Sequence, residues 1–416
     1  MKPTVLVICE NFTTAIRIVP AYLKLRENGR VRPVFFTTFG EPEPLKLFAD
    51  KGVDHLTVRD VIDDGDRERL AGLREGYEAV FRDAAGRAGD TTCRYRGVPL
   101  LPWIGEEMLR LNQTKIFCNY VFRRLAERFD PSLVFTAYCS GGKKKQYVTM
   151  ADRMGIPTLH LQYGANLLPK GSVRRELFSS HYCVWGEAFR ELYVDDPEKR
   201  GRTLVTGDPC FDEYGAVDAA DVRGRLGLCG DDRLVMVGVC FPHEGRALAE
   251  GLAAGGISPR EVFVVKLHPS LFAREAEIAA LFREFGGRCR VVANEFSAYE
   301  LLAAADHYVA MEQESLWLSA FHFGLVPVVV DGFGRLPRER HPLPWVFDAC
   351  GRIGSLRELG RLDDAVAPVG RETVEAAGKR LWHRNDFQAS ERVAAVAENL
   401  AFGVPVEEIR GKFDVE

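Results

Sequence analysis

The chain has no uninterrupted apolar run long enough to cross a bilayer, no cysteine pair in CxxC spacing, no low-complexity tract and no internal repeat. A membrane-spanning helix needs about twenty consecutive apolar residues, so any membrane contact is expected to be peripheral, at the inner face. The ten cysteines are scattered from Cys9 to Cys350. Several, among them Cys9, Cys183 and Cys240, fall inside apolar strand-like runs, where a thiol acts as a small hydrophobe. That distribution predicts a reducing, cytoplasmic setting and no zinc site. An excess of charge of one sign is missing too. The 55 basic and 59 acidic residues give −4, leaving no global field to draw the chain onto nucleic acid. The opening MKPTVLVICENF has its apolar run cut at Glu10 and reads as a first strand rather than a signal peptide.

What is present is an alternation of short β-branched runs with longer amphipathic segments. It predicts an α/β protein whose mostly parallel sheets are covered by helices. The 416 residues exceed one ordinary core. Two Rossmann-like, doubly wound domains are expected, 1–218 and 219–416, with a final helix over 371–401 crossing back onto the first. Strands are predicted at 4–9, 31–37, 55–58, 133–137, 158–162, 181–185 and 203–206. In the second half they fall at 234–239, 262–266, 291–293, 307–310 and 326–330. Gly29, Gly52 and Gly155 each follow a helical pattern, as C-terminal caps do. The acidic, glycine-spaced piece 212–232 is the expected linker, and 86–103 an expected long loop.

The most informative stretches are VFVVKLHP (262–269) and AAADHYVAMEQESLWLSAFHFG (303–324). The first brings Lys266 and His268 to the carboxyl end of a buried strand, stopped by Pro269. The second carries Glu312, Gln313, Glu314 and Ser315 from a strand end into a helix closed by Gly324. Cation, imidazole, carboxylate and hydroxyl groups at two strand ends suit the phosphates of a nucleotide. The carboxyl ends of parallel strands face an interdomain crevice, which also singles out Glu10 and the following Asn11.

With LHLQYGAN (159–166), YCVWGEAF (182–189) and LVTGDPCFDEY (204–214) preceding them, these motifs resemble the GT-B glycosyltransferases, over roughly the second 60% of the chain. More narrowly the chain is similar to bacterial capsule and surface-polysaccharide transferases, the CDP-glycerol glycerophosphotransferases and, more distantly, the HP-motif sialyltransferases. The resemblance implies a metal-independent transferase with no cofactor. It would move a sugar from a CMP-, CDP-, UDP- or GDP-linked donor to a glycan or lipid-linked acceptor. It further implies donor contacts from Lys266, His268, Ser315, the amide of Leu316, and Gly207 in the turn 205–209. The related motif runs SxxxEAxxxG, but Ser319 stands where its ribose-binding glutamate would be, leaving Glu312 or Glu314 as substitutes. Where relatives often carry His-Gly, this chain reads Tyr163-Gly164. A tyrosine of ordinary pKa is a poor base near neutrality. Glu10 is therefore the expected base, with His268 as its catalytic companion, and Asn11, Gln162, Tyr163 and Lys143 are the expected acceptor contacts. Lys143 opens a helix after Ser140-Gly141-Gly142, a glycine-rich turn suited to an anion. His160 reads as a core histidine, and Asp63-Asp64-Gly65 as a turn before a helix. Three other readings remain open: a glycerophosphotransferase, a non-hydrolysing nucleotide-sugar 2-epimerase, and a non-catalytic binding protein of this fold.

Overall fold

In the computed structural model the described residues are all but 1, 39–41, 89–93, 96–97, 100, 138–141, 166–177, 194–196, 312–314, 331–337, 339–340, 385 and 414–416. The apolar runs form two six-stranded sheets, parallel throughout. The first holds β1 (Thr4–Cys9), β2 (Arg32–Thr37), β3 (Pro131–Thr136), β4 (Thr158–Leu161), β5 (His181–Val184) and β6 (Thr203–Val205), in the spatial order β2-β1-β3-β4-β5-β6. The second holds β7 (Arg233–Val239), β8 (Glu261–Leu267), β9 (Cys289–Val292), β10 (His307–Ala310), β11 (Pro327–Val330) and β12 (Gly351–Ile353), in the order β9-β8-β7-β10-β11-β12. Every residue of β1 and β8 is buried, as continuous Val/Ile/Leu runs require when helices cover both faces of a sheet. Each order reverses direction at its first strand. The crevice outside the carboxyl ends of the strands is the place such sheets offer a ligand.

Local chemistry sets the helix boundaries. Asn11 caps α1 (Phe12–Asn28) by accepting from the Thr14 amide at 2.9 Å, and Gly29 closes it at φ 62°. A long antiparallel pair, α2 (Asp64–Ala88) and α3 (Leu101–Phe129), covers one face of the first sheet. Asp63 accepts from the Asp66 amide at 2.7 Å, so the Asp-Asp-Gly element is a helix entrance.

Three expectations are corrected. Segment 55–58 is not a strand: it makes one bridge, Phe36 to Leu56. Asp60 accepts from the Thr57 amide at 2.7 Å and starts a helical turn at Val58 instead. The expected loop 86–103 is shorter, with helices running to Ala88 and from Leu101, while the piece 212–232 does join the two sheets and two of its acidic residues are caps. Asp218 starts a helix at Ala219, and Asp212 accepts from the amides of Ala389 and Ser390 at 3.0 and 2.6 Å. The final helix is two: α7 (Arg371–Trp382) in the second domain, then α8 (Ala389–Ala401) against the first. Between them His383 and Phe387 adopt φ of 61° and 53°. These left-handed values turn the chain across the seam without proline or glycine. Val393, Ala394, Val396 and Ala397 then bury in the same core as Val5, Val7 and Leu133. Among the described residues, no helix is long and apolar enough to cross a membrane.

Candidate active site between the two sheets

Among the described residues, a hydrogen bond joins the carboxyl ends of the two sheets. The loop after β4 reaches the start of α6 (Ser315–Ser319), where the Ala165 amide donates to Ser315 Oγ at 2.9 Å. Gln162 holds that loop in place. Its carbonyl oxygen accepts from the Trp185 amide at 3.0 Å and its amide nitrogen donates to the Gly164 carbonyl at 3.1 Å. It is 2% exposed, with both ends of its amide occupied. Gln162 thus shapes the loop that borders the crevice. Tyr163 and Gly164, half-buried, sit at the turn itself. A Cβ on Gly164 would lie 3.7 Å from Ser315 Oγ, so the hydroxyl faces the first domain across van der Waals distance.

His268 ends β8 as an exposed residue. Its Nδ1 accepts from the Ser270 amide at 3.2 Å and lies 2.8 Å from Ser270 Oγ. Because Nδ1 accepts, the proton of the neutral ring sits on Nε2, which is left as a donor. Burial of the ring lowers its pKa, so the neutral form prevails near pH 7. Lys266, two residues earlier, is 8% exposed. Its ammonium donates to the carbonyls of Ala293 and Phe296, the latter at 2.8 Å, and lies 5.4 Å from the Phe272 ring. Desolvation lowers its pKa to about 8. Alternation puts residues 266 and 268 on one face, so the strand's end makes the difference: Lys266, inside the covered strand, ties down the 293–296 segment, while His268, past its end, reaches solvent.

Ser319 is buried and its hydroxyl donates back to the Ser315 carbonyl at 3.2 Å. The position of the relatives' carboxylate is thus occupied by a group satisfied within its own turn. Leu316 is half-buried and packs with the second-domain core. Glu312, Glu314 and Ser140–Gly141 lie outside the described residues, as does the side chain of Lys143. Glu10, half-buried, follows β1, and exposed Asn11 spends its side chain on the α1 cap. Gly207 sits at φ 86°, where an added Cβ would lie 3.1 Å from the Ala389 methyl. Its neighbours are the crossover helix and Arg392. His160 is a core residue, packed edge-on to Tyr182 with centroids 6.0 Å apart.

Sequence reasoning missed the group behind this crevice. Arg17 on α1 reaches Asp208 at 3.1 Å and the hydroxyl of Tyr299 at 3.3 Å, the latter on α5 (Ala298–Ala304) of the second domain. The guanidinium also lies 5.4 Å from the Trp185 ring. Burial opposes both charges; Asp208 outweighs it for Arg17, whose pKa is raised, while desolvation pushes the Asp208 carboxyl up. The available signal was an arginine set in an apolar stripe, with Ala15, Ile18 and Val19 beside it. No group of three or more His, Cys, Asp or Glu among the described residues is placed to hold a metal ion.

No protein-family model matches the sequence, and no curated protein matches it either. Solved structures do match in fold. The S. aureus MnaA–UDP co-structure superposes at a TM-score of 0.60 with 10% identity, covering 97% of this chain and 98% of that one. The Neisseria meningitidis UDP-GlcNAc 2-epimerase bound to UDP-GlcNAc gives 0.58 with 11% identity over 97% and 99%. A glycosyltransferase from Rickettsia africae gives 0.50 with 8% identity over the whole of both chains. The chain thus has the GT-B fold of two Rossmann-like domains, shared by epimerases and glycosyltransferases alike.

Proposed function

We propose that the chain is a glycosyltransferase that moves a sugar from a nucleotide-linked donor to a surface or capsular glycan. The observation that carries this reading is the Ala165–Ser315 contact. It sets a second-domain hydroxyl against a first-domain loop at the crevice, where donor phosphate and acceptor would have to meet. In this reading His268 Nε2–H and the Ser315 hydroxyl donate to the donor's phosphates as negative charge grows on the leaving group. The acceptor hydroxyl attacks the anomeric carbon, the bond to the phosphate oxygen breaks, and the nucleotide departs with that electron pair. Glu10, half-buried at the end of β1, takes the acceptor proton. Lys266 acts one step back, by holding the segment before Tyr299, and Tyr163 borders the acceptor. Closing the crevice excludes water from a donor prone to hydrolysis.

A second reading, epimerisation of the nucleotide sugar, is favoured by the fold match to the two UDP-linked structures. Incubation with UDP-GlcNAc and no acceptor, followed by proton NMR, separates the two. Turnover to a second sugar without acceptor would establish the epimerase and sink the transferase. Titration calorimetry with CMP, CDP, UDP and GDP gives the base. The site assignment fails if affinity for the preferred nucleotide survives His268→Ala together with Ser315→Ala.

A further inference from the structure

A cavity of about 1330 Å³ opens along α7, and none of Glu10, Tyr163, His268 or Ser315 lines it. The first domain contributes Glu187 and Arg190 of α4 (Glu187–Tyr193), with Val205 at the end of β6. The second contributes an apolar wall of Phe321, Val326, Val369 and Val374. Its volume is somewhat above the range of about 300–1,000 Å³ typical of small-molecule sites.

The charges around it are unequal. Arg190 pairs with Glu187 at 2.9 Å, Arg371 with Glu375 at 2.7 Å, and Asp386 with Arg392 at 2.7 Å. Those pairs neutralise the three acids of the lining. The side chains of Lys379 and Arg384, both exposed, make no hydrogen bond or ion pair with the described residues. Between them in the fold stands His383, held at φ 61°, its Nε2 buried and without a hydrogen-bond partner.

We propose that this cavity is a second ligand site, taking a soluble organic anion whose phosphate or carboxylate meets Lys379 and Arg384 while its apolar body lies on Phe321, Val326 and Val374. Burial, with Arg392 and Arg384 nearby, holds the His383 pKa down to about 4. The ring is therefore neutral near pH 7 and the two cations supply the charge. The site is walled by α4 from one domain and α7 from the other, so an occupant spans the seam beside the crossover. It would favour the relative placement of the domains in which both walls touch it.

The probe is 1-naphthyl phosphate, titrated calorimetrically into the full chain beside inorganic phosphate and 1-naphthol. Naphthyl phosphate should bind more tightly than either fragment. Lys379→Glu with Arg384→Glu, both at exposed positions, should weaken it by about tenfold or more, roughly 1.4 kcal/mol. UDP measured on the same samples should be unaffected by that pair of changes, so loss of the crevice reading and loss of this one are told apart. Unchanged naphthyl phosphate affinity in the double variant, no binding to the parent chain, or inorganic phosphate binding equally well each overturns the proposal. Co-sedimentation with phosphatidate vesicles that the double variant abolishes would also overturn it, by making the ligand a lipid headgroup.

Discussion

Arg17 and Asp208 form an ion pair at 3.1 Å with side chains only 6% and 0% exposed, one on the first helix and the other beyond the last strand of the same sheet. Through Tyr299 the pair also reaches the second domain. Removing one partner leaves an uncompensated buried charge. Asp208→Asn or Arg17→Met should each destabilise the chain by about 3–5 kcal/mol, measured from urea midpoints. The paired change Arg17→Met with Asp208→Leu should cost less than either alone. Equal losses in all three would show that packing, not charge, governs this spot.

The Ser315 hydroxyl has a distinct expected signature. Ser315→Ala removes the acceptor of the Ala165 amide and one donor to the proposed phosphate. Affinity for the preferred nucleotide should fall by about tenfold, the worth of one charge-assisted hydrogen bond. Calorimetry gives the number, and an unchanged dissociation constant would remove Ser315 from the site.

Part of the acid sensitivity should trace to His322, which shares its window with the buried His341 and His383. His322 is 6% exposed and stacks on Phe211 at 4.1 Å between centroids. Burial lowers its pKa to about 4 from an ordinary 6.5. A group whose folded pKa is depressed gives stability that is complete above the unfolded value and is lost as pH falls toward the folded one. The window is therefore pH 6.5 to 4, with up to about 3 kcal/mol at stake. His322→Phe should flatten the fall in melting temperature across that window, as read by calorimetry at several pH values.

At Gly186 the two domains meet backbone to backbone. A Cβ there would overlap the carbonyls of Arg380 and Leu381. Gly186→Ala should force α7 away from α4 and cost about 1–3 kcal/mol. It should also break the Arg380–Glu191 pair, now 2.6 Å. An unfolding midpoint equal to that of the parent chain would contradict this packing.

The sheets were legible because their strands are unbroken apolar runs, TVLVIC and EVFVVKL among them. His268 was legible for a related reason: a polar residue just past such a run, before proline, lands where a strand leaves the core. The carbonyls that Lys266 meets were not legible, because the 293–296 segment lies 27 to 30 positions away. Nor does anything local announce that Trp185 will take the amide oxygen of Gln162. Arg17 and Asp208 were invisible as a pair because 191 positions separate them, and periodicity reports only on near neighbours. The break at His383 was marked only by Asn385-Asp386, without the glycine or proline that usually announces one.

The turn from α7 to α8 means that the first domain is assembled from both ends of the chain. During synthesis, the apolar surface of Val5, Val7 and Leu133 leaves the ribosome long before its cover does. It must wait for the whole second domain to be translated, and until residue 401 emerges the nascent protein carries an unsealed core. A chain stopped at Trp382 should therefore aggregate through its N-terminal half, although every strand of both sheets has already been made.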